Sequence, residues 1–246
     1  MAAHKPMEVV TDPPKTRINL VEQAYERLEA LIVTCALKPG QSLSIQDLQT
    51  MTGFGRTPIH QAVNRLAGDT LIVVRPRHGL QIAPVDLARE RLLLHLRRDI
   101  ERFVIRLAAE RSNPTHRNQL LHLARALRAR RDAMTIDDFN RFDRWLDRLI
   151  VAAAGEPFLE HTLRPLHTIS RRIGWIYQTW LGPRDGLSRT IDTHLAVIEA
   201  VAARQPDAAG AASDALIDFA ESMFDTMERE IDPALLDCGI AMLVGH

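Results

Sequence analysis

"GFGRTPIHQAVNRL", residues Gly53 to Leu66, decides how the rest of the chain is read. Ile59, Ala62, Val63 and Leu66 recur at helical spacing and make an apolar back, while Arg56, Thr57, His60, Gln61 and Asn64 stand in front. A solvated surface helix has this pattern, and so does a helix that offers polar groups to DNA base edges. The flanks bear on the choice. Upstream, a helix is expected from about Leu20 to Cys35, with Ala24, Leu28, Leu31 and Ile32 on one side, and Pro39-Gly40 stops it. A short helix follows near Ser44 to Met51, with Ser44 as its N-cap, before Thr52-Gly53 turns the chain. Downstream, "LIVVRP" and "LQIAPV" are β-type runs separated by Arg77-His78-Gly79, which predicts a hairpin. Three helices and a hairpin in this order make a winged helix-turn-helix, whose second and third helices form the DNA-binding pair.

From Val85 onward every strong signal is helical. Leu93, Leu96, Ile100, Phe103 and Leu107 form one stripe, and Phe139, Phe142, Leu146, Leu149 and Ala153 another. Ile191, His194, Leu195, Ile198 and Val201 form a third, and Ala212, Leu216, Phe219, Met223 and Met227 a fourth. Breakers at Asn113-Pro114, Gly155-Glu156-Pro157, Gly182-Pro183 and Gln205-Pro206 divide the region into six or seven helices of one bundle. The expected fold is therefore mostly α. It has a disordered arm at 1–16, a winged helix-turn-helix at 17–85, an all-helical domain at 86–232 and a tail at 233–246.

Composition is that of an ordinary globular chain, 46% hydrophobic and 25% charged. Lys and Arg balance Asp and Glu at 31 each, which argues against indiscriminate wrapping of nucleic acid but leaves room for a local basic patch. Cys35 and Cys238 are far apart in sequence and predict no disulfide framework or cysteine zinc site. No stretch reads as a signal peptide or a membrane span, so the expected location is the cytoplasm.

Six stretches in fixed order carry a family resemblance: "YERLEALIVTCALKPGQSL", "GRTPIHQAVNRL", "HGLQIAP", "LRRDIE", "FDRWLDRLIVAAAGEPFLE" and "THLAVIEAVAARQPDAAGAA". Together they resemble the GntR family of transcription regulators, in the FadR-like branch with an all-helical FCD effector domain. The resemblance implies a homodimeric repressor or activator on a double-stranded operator. Its helical domain would take a small organic acid, often beside a divalent metal. In the family's recognition helix the motif runs Ser-Arg-Thr-Pro-Val-Arg-Glu-Ala-Leu; here Arg56, Thr57 and Pro58 match, and His60 stands in place of a second Arg. Gln46 likewise replaces a residue that is often basic. Arg56 suits guanine or phosphate and Gln61 suits adenine, while Arg75, Arg77 and His78 flank a wing tip at which Gly79 supplies the backbone conformation.

Many relatives hold a metal with one Asp and three His. The matching positions here are Asp143, Asp147, His194 and Leu216. Asp143 and Asp147 share a helix face at i and i+4, and with His194 they could form an oxygen-rich site for Zn, Mn or Mg. The alternative is a metal-free pocket, as in the acyl-CoA-binding members of this branch. Arg97, in "LRRDIE", matches an Arg placed near the pocket and would grip a carboxylate, or else pair with Glu101 at i+4. Asp143 and His194 are expected to touch the effector as well. His161, His167, Arg171, Arg172, Trp175 and Tyr177 lie on the helix that passes over the pocket, with Trp180 beyond it.

Two other functions stay open on the sequence alone. One is an all-α metal-dependent enzyme, against which stands the lack of His-Glu-x-x-His, Glu-x-x-His, Gly-x-Ser-x-Gly and P-loop motifs. The other is a regulator that has lost its effector and serves as an interaction module, a reading that Leu216 and His60 keep alive.

Overall fold

The structure, a computed structural model, describes residues 19–75, 77, 79–182 and 186–239. The expected arm at 1–16, His78 and the end of the tail fall outside these residues. Helix α1 (Leu20–Val33) buries Ala24, Tyr25, Leu28, Ile32 and Val33. Helix α2 (Ile45–Thr52) begins at Ser44, where Ser44 Oγ accepts from the Asp47 N–H at 3.1 Å and Asp47 Oδ2 accepts from the Ser44 N–H at 2.8 Å. This reciprocal cap satisfies two otherwise orphaned donors. Gly53, at φ +76°, ends α2 and turns the chain into α3 (Arg56–Gly68), whose Ile59, Ala62, Val63 and Leu66 all pack inward. The hairpin is β2 (Ile72–Arg75) and β3 (Gly79–Ile82), with Val73 opposite Gln81 and Val74 opposite Leu80. A two-residue strand, β1 (Ser42–Leu43), adds an antiparallel third member beside β3. It is too short to leave a periodic trace in sequence. Gly79 has φ +84°, and a Cβ there would lie 2.7 Å from the Leu43 carbonyl oxygen. Both the turn and the approach of β1 therefore call for glycine.

The second domain contains α4 (Leu87–Arg111), α5 (Pro114–Ala129), α6 (Ile136–Ala154) and α7 (Phe158–Ile176). It continues with α8 (Ser188–Ala202), α9 (Pro206–Glu230) and the short α10 (Pro233–Leu236). A π-helical turn, Tyr177–Leu181, closes α7. Helix α4 is the central member and packs on α9, α6, α7 and α8. Its buried face differs from the expected stripe: Leu94, Arg97, Glu101, Val104, Ile105 and Ala108 face inward, while Leu96 and Phe103 are 51% and 58% exposed. Arg97 pairs with Glu101 along α4, and Glu101 pairs with His167 of α7, a partnership across helices that a single helix's hydrophobic pattern does not record. The residues expected as a tail begin as structure. Leu236 joins the helical core, its carbonyl accepts from the Val85 N–H at 2.8 Å, and the Cys238 N–H donates to the Pro39 carbonyl at 2.9 Å.

The two domains meet along α1 and α7. Glu22, Glu26 and Glu29 on α1 face Arg144 and Arg148 of α6 and Arg164 and Arg171 of α7. Tyr25 lies between two guanidiniums, Arg65 and Arg164, each 4.1 Å from its ring centre, and its hydroxyl donates to Asp69 at 2.7 Å. Ile169 of α7 enters the core of the winged domain, and Arg172, fully buried, donates to the Ala83 carbonyl in the linker at 2.9 Å. Stacking, ion pairing and apolar burial thus act at one seam.

Candidate DNA interface and buried cavity

Arg56, Thr57, His60 and Gln61 stand exposed on α3, and Gln46 stands exposed on α2. Gly55 caps α3 without a side-chain bond and no acid occupies the first turn, so the helix presents free N–H groups and its positive dipole end to phosphate. Asn64 Nδ2 lies 3.3 Å from His60 Nδ1. If Asn64 donates, the His60 proton sits on Nε2 and points a donor outward. A groove of about 310 Å3 separates α3 from the wing, lined by His60, Asn64, Arg75, Arg77 and Gly79 among others. Arg75 is steadied by Gln81 at 2.5 Å, and Arg77 takes φ +68° at the hairpin tip. Of the expected reading residues, His60, Arg75, Arg77 and Gly79 meet at this groove, and Gln46, Arg56, Thr57 and Gln61 are exposed on α2 and α3. Arg65 belongs elsewhere: it is tied to Glu22 at 2.6 Å and stacks on Tyr25.

In the helical domain, Asp143 and Asp147 come from α6, His194 from α8, and Arg97 with Glu101 from α4. Helix α7 adds His167 and Arg171, one turn apart on its inner face. Asp143 Oδ1 is 3.2 Å from His194 Nε2, and the other His194 nitrogen donates to the Thr190 carbonyl at 2.6 Å. The edge of Phe139 meets the His194 ring at a centroid distance of 4.9 Å. Arg171 Nη1 lies 3.2 Å from Asp143 and 2.5 Å from Asp147, so one guanidinium bridges both acids. His167 is bracketed by Asp147 at 2.9 Å and Glu101 at 2.7 Å, and Arg97 Nε reaches Glu101 at 2.9 Å.

The chain thus supplies three carboxylates and matches them with two guanidiniums and an imidazolium. Burial opposes the charge on His167, but Asp147 and Glu101 outweigh it and carry its pKa up to about 9. Burial also opposes ionisation of Asp143; His194, Arg171 and Arg97 overcome that and hold it well below the usual carboxylate range. Beside this network lies a cavity of about 70 Å3. Arg97, Asn140, Asp143, Arg171, Thr190 and His194 give it polar walls; Phe139, Leu216, Phe219 and Met223 give it apolar ones. Asn140 Nδ2, Thr190 Oγ1 and Arg171 Nε are buried there without a hydrogen-bond partner among the described residues.

Comparison with known proteins fits both halves. The family described as "Bacterial regulatory proteins, gntR family" matches residues 20–82, and the FCD domain matches residues 92–219. The chain belongs to the GntR family, with an FCD domain. Among curated relatives, the HTH-type transcriptional repressor RspR of Escherichia coli is 27% identical over 187 residues, 76% of this chain and 81% of RspR. A regulator in an unstable DNA locus of Streptomyces ambofaciens is 34% identical over 77 residues, 31% of this chain and 33% of that protein. Of solved structures, E. coli McbR/YncC superposes with a TM-score of 0.74 at 18% identity, covering 86% of this chain and 99% of McbR. A putative GntR regulator from Rhodococcus sp. RHA1 gives a TM-score of 0.62 at 17% identity, covering 84% and 97%. The protein is accordingly a DNA-binding transcription regulator and not an enzyme. Among the described residues no helix is long and apolar enough to cross a membrane.

The metal set that the family resemblance implies does not fit this GntR chain. Leu216 offers no ligand atom, Arg171 Nη1 already stands between Asp143 and Asp147, and these acids do not gather with His194 at metal-like spacing among the described residues. Among the described residues the group with metal-like spacing is Glu101, Asp147 and His167. There both His167 nitrogens already face carboxylates, and the added charge of a divalent ion would meet Arg97 and Arg171. The sequence reading missed how central Arg171 and His167 are. Their signal was present as an i, i+4 polar pair on a helix otherwise apolar on that side. Trp175, Tyr177 and Trp180 pack against the helical core instead of lining the cavity, and His161 is exposed.

Proposed function

We propose that this GntR regulator is a repressor that grips a palindromic operator as a homodimer in the cytoplasm, and that a small carboxylate in the cavity weakens that grip. The observation that carries the reading is the set of unpartnered donors in the cavity wall: the Asn140 amide, the Thr190 hydroxyl and Arg171 Nε. Buried donors left unmade are costly, so a ligand that satisfies them recovers free energy. Donors in excess, with Arg97 beside them, suit an acceptor-rich group such as a carboxylate. Phe139, Leu216, Phe219 and Met223 would take a short hydrocarbon portion, and about 70 Å3 admits only a small molecule. The repressor title of RspR supports the sign of regulation. Leu92, Leu96 and Phe103 form an exposed apolar row on α4, which supports a second copy packing there.

The test begins with selection of genomic fragments by the protein at ~0.1 M salt, where phosphate contacts still contribute. Arg56→Ala should weaken binding to the recovered site by roughly 5- to 150-fold, as expected for loss of a base or phosphate grip. Unchanged affinity would remove Arg56 from the reading face. Carboxylates are then screened by thermal shift. A true cavity ligand must lose its shift in Arg97→Gln, and one that keeps it binds elsewhere.

A further inference from the structure

Among the described residues, Arg171 alone lines both the cavity of the helical domain and a second cleft, of about 30 Å3, at the seam with the winged domain. Its Nη1 bridges Asp143, which lines the cavity, and Asp147, which lines the seam cleft. At the seam its Nη2 lies 3.9 Å from Glu29, which is fully buried on α1. Glu29 is held loosely for a buried charge. Arg144 and Arg164 are each 3.7 Å away, Thr168 supplies a hydroxyl, and Glu29 Oε2 has no hydrogen-bond partner. Thr168 Oγ1 fixes one oxygen of Glu29, but no guanidinium makes a short bond to it, so the charge attraction at these distances changes with small displacements. Helix α1 in turn packs directly on α3, the helix that carries Arg56 and His60.

We propose that Arg171 is the built-in cation of this site, standing between Asp143 and Asp147 where a divalent ion would sit, and that by sharing its charge with Glu29 it couples the cavity to the DNA-binding domain. The proposal rests on the reading of the cavity as a ligand site. An anion entering the cavity meets Arg171 beside Asp143 and draws the guanidinium toward itself. Glu29 then loses part of one of its three cations, and α1 is held less firmly against α7. Occupancy is transmitted through one side chain with three carboxylate partners, Asp143 at the cavity and Asp147 and Glu29 at the seam cleft. No metal is required, because Arg97, His167 and Arg171 already neutralise Glu101, Asp147 and Asp143.

Two measurements on the full chain decide it. Metal content is determined after dialysis against Mn2+ and then Zn2+. Well under one ion per chain is expected, and one tightly held ion per chain would overturn the role given to Arg171. A double-mutant cycle then pairs Asp143→Asn with Glu29→Gln in urea unfolding and in binding to the operator fragment. Because both acids share Arg171, the two changes should depart from additivity by about fivefold in the equilibrium constant. Asp143→Asn with Glu26→Gln is the control and should be additive, since Glu26 pairs with Arg148. Additivity in the Glu29 cycle overturns the coupling. Should Asp143→Asn not fold, Asp147→Asn, the other acid on Arg171 Nη1, takes its place. If the wild type binds no operator, the proposed function fails, while the urea cycle still decides whether Arg171 is shared.

Discussion

The front of α3 and the inner faces of α4, α6 and α7 are both strongly polar. On α3, Arg56, Thr57, His60 and Gln61 stand in water, so the fold bears almost no cost for them and leaves them free to meet a partner. Inside the helical domain, Arg97, Glu101, Asp143, His167 and Arg171 are all buried. Each buried ion gives up several kcal/mol of hydration, recovered only through partners in good geometry. The outer face is therefore a set of independent side chains, and the inner one is a single interlocked unit. A substitution outside should change recognition and little else, whereas one inside should change stability before anything else.

The sharpest way to break this contrast is to delete one inner acid. Glu101→Ala leaves Arg97 and His167 facing each other unbalanced and should cost ~3–5 kcal/mol, read as a lower urea midpoint. Gln61→Ala on α3 should stay within about 0.5 kcal/mol. Equal losses would mean that the inner network is not a unit. A second test uses pH. Glu90, buried on α4 beside the linker, is pushed up to about 7 by burial against the opposing pull of Arg172 and Arg89. A carboxyl raised in the folded state contributes stability in full below its ordinary value of 4.5, and that contribution is lost as pH rises through 7. The loss is on the order of 3 kcal/mol, and Glu90→Gln should flatten it; a curve unchanged by that substitution assigns the pH dependence to other groups. The smallest effect probes the outer face itself. Gly79→Ala forces an L side chain to φ +84° and into the Leu43 carbonyl, at ~1–2 kcal/mol. Its thermal midpoint should fall while that of Arg77→Ala does not.

The same contrast explains what the sequence made legible. Helices α1 to α3 and the hairpin follow from local spacing, caps and turn residues, because each buries a simple apolar face. Glycine at position 79 was readable for the same reason. Helix α4 was not: its apolar residues Leu93, Leu96 and Phe103 suggested one face, and the fold buried the face carrying Arg97 and Glu101. What makes that face buriable is His167 and Arg171, more than sixty residues away in sequence. The cavity was legible in part. Asp143, His194, Leu216 and Arg97 do line it, but Asp147 belongs to the ion network, and Asn140 and Thr190 carry no sequence signal beyond their helices.

The segment around α10 ties Pro39 of the winged domain and Val85 of the linker to the helical core. It leaves the ribosome after every element that it joins. At ~5–20 residues per second, translating residues 86–232 takes roughly 7–30 s, during which the winged domain is already made but its fastening is not. Throughout that interval the young chain carries a finished recognition helix while the tie through α10 is still unmade. The order of synthesis thus separates the completion of the recognition helix from the completion of the contacts that join the two domains.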